Sequence, residues 1–145
     1  MTHRQGADLI DRLVDAWNAH DADGVAACYA PDAVSRDITL TEALHGRTAI
    51  RNAADAYLGA FPDLRLRATR VACDGDLICE EWRASGTHLG DLVGLAATGY
   101  PATMAGCNII RLDANGEIAS ETTYTDAAGL YRQLHALPQL AEAAG

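Results

Sequence analysis

The stretch from Ile50 to His88, IRNAADAYLGAFPDLRLRATRVACDGDLICEEWRASGTH, changes its hydrophobic period at Pro62. Before that proline, apolar side chains recur every three or four residues, which predicts a helix that buries one face and ends where proline cannot continue it. From Asp63 onward the period falls to about two residues, which is typical of strands. The tight turn at Asp74-Gly75-Asp76 favours an antiparallel hairpin.

Helices dominate the chain upstream of this stretch. Apolar residues between Ile10 and Trp17 follow helical spacing and predict a first helix. Asp21 is a favoured capping residue, and we expect it to begin a short second helix that runs through Tyr29 and is stopped by Pro31. A brief strand from Ala33 to Ile38 is expected before the helix at Ile50.

Strands dominate the chain downstream. A last amphipathic helix is expected around Leu130, Leu134 and Leu137, after four predicted strands: Leu64 to Cys73, Leu77 to His88, Pro101 to Leu112 and Glu117 to Asp126. Helices first and strands later, with short turns between the strands, predict an α+β fold. We expect one curved antiparallel sheet that wraps around the N-terminal helices and leaves a cavity between the two.

Length and charge exclude several classes of protein. The 145 residues correspond to a single domain spanning 1–145, and 11 Lys and Arg against 20 Asp and Glu leave a net charge of −9, which disfavours nucleic acid as a partner. Without an apolar run of about 18 residues or a signal-peptide pattern, we expect no membrane partner and a cytoplasmic location. The four cysteines form no CxxC pair and are expected to be reduced, buried thiols.

One face of the second long strand combines apolar and ionisable side chains. Alternation places Glu80, Trp82 and His88 on the same side as Ile78 and Ala84. Such a face is too apolar to be simply solvated and too polar to be ordinary core, which suits a ligand pocket. By the same alternation, Ile118, Ser120, Thr122, Tyr124 and Asp126 share a face of the last strand, and Asn108 shares a face of the strand before it with Met104, Gly106, Ile110 and Leu112.

Short motifs occur in order along nearly the whole chain: WNAHD (17–21), YAPDA (29–33), FPDL (61–64), GTHLG (86–90), TG (98–99), NGEI (115–118) and YTD (124–126). With these motifs the sequence resembles the SnoaL-like polyketide cyclases of the nuclear-transport-factor-2-like superfamily, which also contains ketosteroid isomerases. The resemblance implies a cone-shaped α+β barrel and an enzyme of secondary metabolism, such as antibiotic biosynthesis. It also implies intramolecular aldol closure of a polyketide ring without cofactor or metal.

In the family that this sequence resembles, an Asp at the end of the last strand is the general acid and base, and Asp126 is the matching position. The family often has His where this chain has Asn108, and Asn cannot shuttle a proton, so that part would fall to His88 or be absent. We therefore predict Asp126, His88 and Asn108 as catalytic residues. Residues expected to bind the substrate are Trp17, Tyr29, Asp37, Glu80, Trp82 and Tyr124.

Two of these assignments have a structural alternative. A general base needs a site dry enough to raise its pKa, whereas Asp126 is also well placed to cap the helix that begins at Ala127. Glu80 lies on a largely apolar face, so it either opens onto the pocket or belongs to a satisfied structural pair.

Other functions of the same fold stay open. The chain is alternatively a cofactor-free isomerase, hydroxylase or hydrolase, or a non-catalytic module for small-molecule binding or dimerisation. No HxH, HExxH or phosphate-binding glycine motif occurs, so neither a metal nor a nucleotide cofactor is expected. The expected partners are a small hydrophobic or polycyclic substrate and a second copy of the chain in a homodimer.

Overall fold

The computed structural model describes residues 3–137 and has the predicted α+β architecture. Among these residues the helices are α1 (His3–Asn18), α2 (Ala22–Ala27), α3 (Arg47–Ala60) and α4 (Ala127–Gln133). The strands are β1 (Tyr29–Asp37), β2 (Leu44–His45), β3 (Arg65–Asp74), β4 (Leu77–Thr87), β5 (Pro101–Leu112) and β6 (Ile118–Thr125). The predicted change from helices to a sheet near Pro62 is confirmed. No helix within the described range is both long and apolar enough to cross a membrane.

The strands form one curved, unclosed sheet in the order β2-β1-β6-β5-β4-β3. The three hairpin-like pairs β3–β4, β4–β5 and β5–β6 are antiparallel, as predicted. The prediction of a wholly antiparallel sheet is wrong at one place, because β1 and β6 pair in parallel. β6 is the last strand along the chain but lies in the middle of the sheet, beside β1. Because β2, α3, β3, β4 and β5 all come between β1 and β6 in the chain, the connection is long enough to allow the parallel direction.

The first strand begins earlier than predicted. α2 ends at Ala27, and Tyr29 already pairs with Ile118 of β6, so the expected helix through Tyr29 is wrong. Pro31 lies inside β1, between the Tyr29 and Val34 pairs, where the register of the strand shifts. A proline has no N–H to contribute to the ladder, so a register irregularity is a position that it tolerates. Pro31 therefore interrupts the pairing without ending the strand.

One face of the sheet packs against the N-terminal helices. A side chain at Gly6 of α1 would lie 2.7 Å from Cys73 Sγ and 3.2 Å from Ile78 Cδ1, so the α1 backbone lies directly over β3 and β4. We call the sheet face that carries Ile78 the inner face. All four cysteines are free thiols, as predicted; Cys28 is buried, and the other three are half-buried.

Candidate functional site

The inner face carries carboxyl groups in two neighbouring rows of the sheet. Glu80 lies opposite Asn108, which lies opposite Thr123, and the next row is Ile78, Ile110 and Glu121. Directly opposed residues of antiparallel strands point to the same side of the sheet, and alternate residues along a strand do too. Glu80 and Glu121 are therefore both on the face that the helices cover.

Glu80 is the most enclosed carboxyl group of this face. Its side chain is only 1% exposed. The Asn108 amide Nδ2 donates a hydrogen bond to its Oε1 at 2.9 Å, and within residues 3–137 no other hydrogen bond to this carboxyl group is formed. Burial raises the pKa of Glu80 to about 7, the Asn108 hydrogen bond opposes this, and the nearby Glu121 carboxylate adds to it. Glu80 is thus poised to gain and lose a proton near neutral pH.

Trp82 and Gly106 complete the surroundings of this carboxyl group. The indole Nε1 of Trp82 donates to Asn108 Oδ1 at 3.1 Å. Gly106 lies directly opposite Trp82, and a Cβ at Gly106 would be 2.8 Å from the indole Cε2. The indole therefore lies across the Gly106 backbone, a position that only glycine leaves open. Gly106, Trp82, Asn108 and Glu80 form one continuous arrangement across β4 and β5.

A second carboxyl group, Glu121, lies beside the first and was missed by the sequence reasoning. The Tyr29 hydroxyl donates to Glu121 at 3.0 Å from either oxygen, and Ser35 Oγ donates to Oε1 at 2.9 Å. Burial raises the pKa of Glu121, and the Ser35 and Tyr29 hydrogen bonds oppose this. The pKa of Tyr29 is also raised, first by burial and then by the Glu121 charge. The predicted site residue Tyr29 is therefore held in the interior by a carboxylate.

A β-bulge in β6 explains why Glu121 was missed. Leu112 pairs with Ile118, but Arg111 pairs with Ser120, so Ala119 is an extra residue in the ladder. The extra residue reverses the alternation, and Ile118 and Glu121 are both buried. The prediction that Ile118, Tyr124 and Asp126 share a face is therefore wrong. Tyr124, expected to bind substrate, is 47% exposed and points away from the inner face.

Asp126 lies at the end of β6, as predicted, but on the surface of the described structure. Its side chain is exposed, and Oδ1 accepts the backbone N–H of Gly129 at 2.8 Å. This is the N-cap of α4, the structural alternative that the sequence left open. The geometry supplies none of the dry surroundings that a carboxylate base requires, and the catalytic role of Asp126 stays a prediction.

His88 is fully buried beyond the end of β4. The backbone N–H of Thr98 donates to Nδ1 at 3.2 Å, and Thr98 Oγ1 is 3.0 Å from the same nitrogen. Because Nδ1 is an acceptor, the neutral ring carries its proton on Nε2, which is enclosed and has no hydrogen-bond partner among the described residues. Eight residues of extended chain, roughly 26 Å, separate His88 from Glu80. His88 therefore does not share a reacting atom with Glu80.

The remaining predicted residues are more peripheral. Asp37 ends β1, where its carboxylate accepts the Thr39 hydroxyl at 2.6 Å and the Thr39 backbone N–H at 2.9 Å. Burial raises the pKa of Tyr57, and the charge of Asp37 contributes, so the two lie near each other. Trp17 is half-buried in α1 and packs against the hydrophobic core. The sequence-predicted set thus separates into Glu80, Trp82 and Asn108, which are in contact, and residues placed elsewhere.

Part of the inner face is accessible to solvent, because the helices cover some of its side chains only partly. Trp82, Met104, Asn108 and Thr123 are half-buried although they share this face. Two surface clefts lie elsewhere: one of about 450 Å³ includes Asp63 and Thr87, and one of about 280 Å³ lies between α2 and α3. Neither cleft contains a predicted site residue. Within the described range, no three His, Cys, Asp or Glu side chains lie close enough together to hold a metal ion.

Comparisons with known proteins agree with this architecture. The family model for the SnoaL-like polyketide cyclases matches residues 7–134. Aklanonic acid methyl ester cyclase DnrD from Streptomyces peucetius is 28% identical over 129 residues, which cover 88% of each chain. IdmH from Streptomyces antibioticus, a suggested polyketide cyclase, is 28% identical with a TM-score of 0.75 over 90% of this chain and 99% of IdmH. AclR from Streptomyces galilaeus, a suggested hydroxylase, shares the fold at 22% identity with a TM-score of 0.82. The match covers 94% of this chain and 100% of AclR.

Proposed function

Because the chain belongs to the SnoaL-like polyketide cyclase family, we propose that it is an enzyme that closes a ring in a polyketide intermediate. The reaction is of the aldol type and needs no cofactor. Glu80 is its general acid and base. The observation that supports this most directly is the buried carboxyl group of Glu80 on the inner face, with its pKa raised to about 7. Acid and base catalysis is most efficient when the pKa of the group lies near the working pH.

The proposed reaction needs one group that takes a proton and returns it. Ionised Glu80 removes a proton from a carbon between two carbonyl groups and leaves an enolate. The enolate carbon attacks a second carbonyl carbon of the same molecule, which forms the new carbon–carbon bond and places the negative charge on that carbonyl oxygen. Protonated Glu80 then returns its proton to this oxygen, so the carboxylate is regenerated and no atoms or electrons are left over.

The atoms of Glu80 are arranged for this exchange. Asn108 donates to Oε1, which leaves Oε2 without a hydrogen-bond partner among the described residues. The only enclosed and unpartnered side-chain nitrogen or oxygen in residues 3–137 is His88 Nε2. Oε2 therefore keeps at most a small accessible surface, since Glu80 is only 1% exposed, and it is the oxygen from which a proton would pass to a substrate.

The substrate class follows from the family and from the surroundings of Glu80. Trp82 and Met104 supply apolar surface on the same face as Asn108, which suits a largely apolar ring system with a few oxygen atoms. The name of the relative DnrD identifies it as the cyclase of a methyl ester of aklanonic acid. We propose an oxygenated, partly cyclised polyketide of this chemical kind as the substrate.

The test compares three substitutions with an aromatic 1,3-diketone probe, whose proton between the two carbonyl groups exchanges for solvent deuterium and is followed by NMR. Glu80→Gln is expected to reduce the enzyme-dependent exchange by about 100-fold or more. Glu81→Gln is the matched control, because Glu81 is the next residue on the same strand and is exposed on the opposite face. Asp126→Asn is expected to keep the exchange, since Asn also caps a helix.

The outcomes separate the two carboxyl groups. Loss of exchange in Asp126→Asn with full exchange in Glu80→Gln would make Asp126 the base and would refute the proposal for Glu80. Unchanged exchange in both variants, with ligand binding retained, would favour the second candidate function, a small-molecule binding module. The observation that favours this second candidate is the half-buried set of Trp82, Met104 and Asn108 on the inner face, which a ligand could contact without any proton transfer.

A further inference from the structure

The amide of Asn108 has an orientation that the structure determines. Amide oxygen and nitrogen are usually hard to tell apart, and the hydrogen-bond network decides between them. Here one neighbour is the indole Nε1 of Trp82, which can only donate. Oδ1 must therefore face Trp82, and the NH₂ group must face Glu80.

This orientation has a consequence for the two oxygens of Glu80. Because the Asn108 NH₂ group only donates, Oε1 of Glu80 must accept in both protonation states. When Glu80 binds a proton, that proton is then on Oε2, the oxygen without a hydrogen-bond partner among the described residues. A rotated Asn108 amide would do the opposite, because its oxygen would accept a hydrogen bond from a protonated Oε1 and so hold the acidic proton toward the protein.

We propose that Trp82 is a positioning residue whose indole N–H fixes the Asn108 amide, so that Glu80 keeps Oε1 as a permanent acceptor and carries its exchangeable proton on Oε2. Gly106 is part of the same device, because a side chain there would meet the Trp82 indole. A catalytic benefit from this arrangement rests on the proposed function. The position of the proton on Glu80 does not depend on that function.

Other ionisable groups also act on Glu80. The titratable groups that interact electrostatically with it are Glu121 on β6, Tyr29 on β1 and Cys107 on β5. None of these contacts the Asn108 amide through a hydrogen bond in the described structure. A substitution at Trp82 that acts through Asn108 can therefore be separated from a change in these charges.

The experiment is an infrared titration of the free protein. The C=O band of a protonated carboxylic acid is followed against pH, and the part lost in Glu80→Gln is assigned to Glu80. Trp82→Phe keeps an aromatic ring and removes the N–H, so the amide can rotate and its oxygen can accept a hydrogen bond from protonated Glu80. The titration midpoint is expected to rise by about one pH unit, since the rotated amide can accept the hydrogen bond of the protonated acid and so stabilises that form.

A second variant shows whether Trp82 acts through Asn108. Asn108→Leu removes the donor and is expected to raise the midpoint by about one to two pH units. In the Asn108→Leu background, Trp82→Phe is expected to add no further shift, because the group that it positions is gone. An equal shift in both backgrounds, or an unchanged midpoint in Trp82→Phe alone, would overturn the proposal.

The titration is independent of turnover. If Glu80→Gln retains deuterium exchange while Trp82→Phe shifts the midpoint as expected, the proposed function fails and the positioning role stands. If Glu80→Gln loses exchange while Trp82→Phe leaves the midpoint unchanged, the positioning role fails and the proposed function stands. Asn108→Leu also tests the donor role of the amide by itself: a midpoint that does not rise would refute that role, and with it the arrangement that Trp82 is proposed to fix.

Discussion

Replacing Glu80 with Gln is expected to change how the stability of the protein depends on pH. The pKa of Glu80 is about 7 in the folded protein, against an ordinary value of 4.5. Between these two values the folded state holds a proton that the unfolded state has lost. The stability contributed by this group is therefore full below about pH 4.5 and falls as the pH rises toward 7. The difference of about 2.5 pH units corresponds to a loss of about 3 kcal/mol.

Gln resembles the protonated acid and does not titrate, so Glu80→Gln removes this loss. Relative to the natural chain, the variant is expected to gain about 2 kcal/mol in free energy of unfolding between about pH 5.5 and about pH 8, the part of the full difference that falls in this range. Urea denaturation at both pH values measures it, and thermal melting should show a relative gain of roughly 5–8 °C. Glu81→Gln, with an exposed side chain, is the control. A variant that is equally destabilised at both pH values would refute the raised pKa and the argument built on it.

Two further predictions concern the surroundings of the site. Asp126→Ala is expected to lose about 1 kcal/mol of stability because the α4 N-cap is removed, while Asp126→Asn stays close to the natural chain; equal losses in urea denaturation would contradict the cap. Gly90→Ala is expected to lose about 1–3 kcal/mol of unfolding free energy, because its Cβ would collide with the backbone of Gly59. Gly59→Ala is expected to gain about 0.8 kcal/mol of unfolding free energy, because it lies on an open helix surface with no atom near its Cβ. Thermal melting of the two alanine variants should show opposite signs, and a shared sign would refute the close approach at Gly90.

Periodicity and turn residues were sufficient to predict most of the architecture. The end of α3 before Pro62 and the strands from Leu64 to Thr125 agree closely with the prediction because each is a local property of the chain. The start of β1 was not predictable in this way. Tyr29 enters the sheet because β6, about ninety residues later, pairs with it, and no local pattern reports such a partner.

The candidate site shows the same limit more sharply. Glu80, Trp82 and Asn108 were found because β4 and β5 pair without interruption, so alternation along each strand holds. Glu121 was missed because one extra residue, Ala119, reverses the alternation in β6. Nothing at Ala119 itself marks a bulge, since neither it nor its neighbours Ile118 and Ser120 is Gly or Pro. The extra residue therefore places Glu121 on the inner face and turns Tyr124 away from it.

The burial of two carboxyl groups beside each other bears on whether the inner face is functional. Burial raises the pKa of both Glu80 and Glu121, so each makes the folded protein less stable at neutral pH than a neutral side chain of similar shape would. Glu121 is compensated by donors from Tyr29 and Ser35, whereas Glu80 has the single donor of Asn108. A purely structural role would be served better by Gln at position 80, which forms the same hydrogen bond without titrating. What Glu offers at this position, and Gln does not, is a proton that can leave and return near neutral pH.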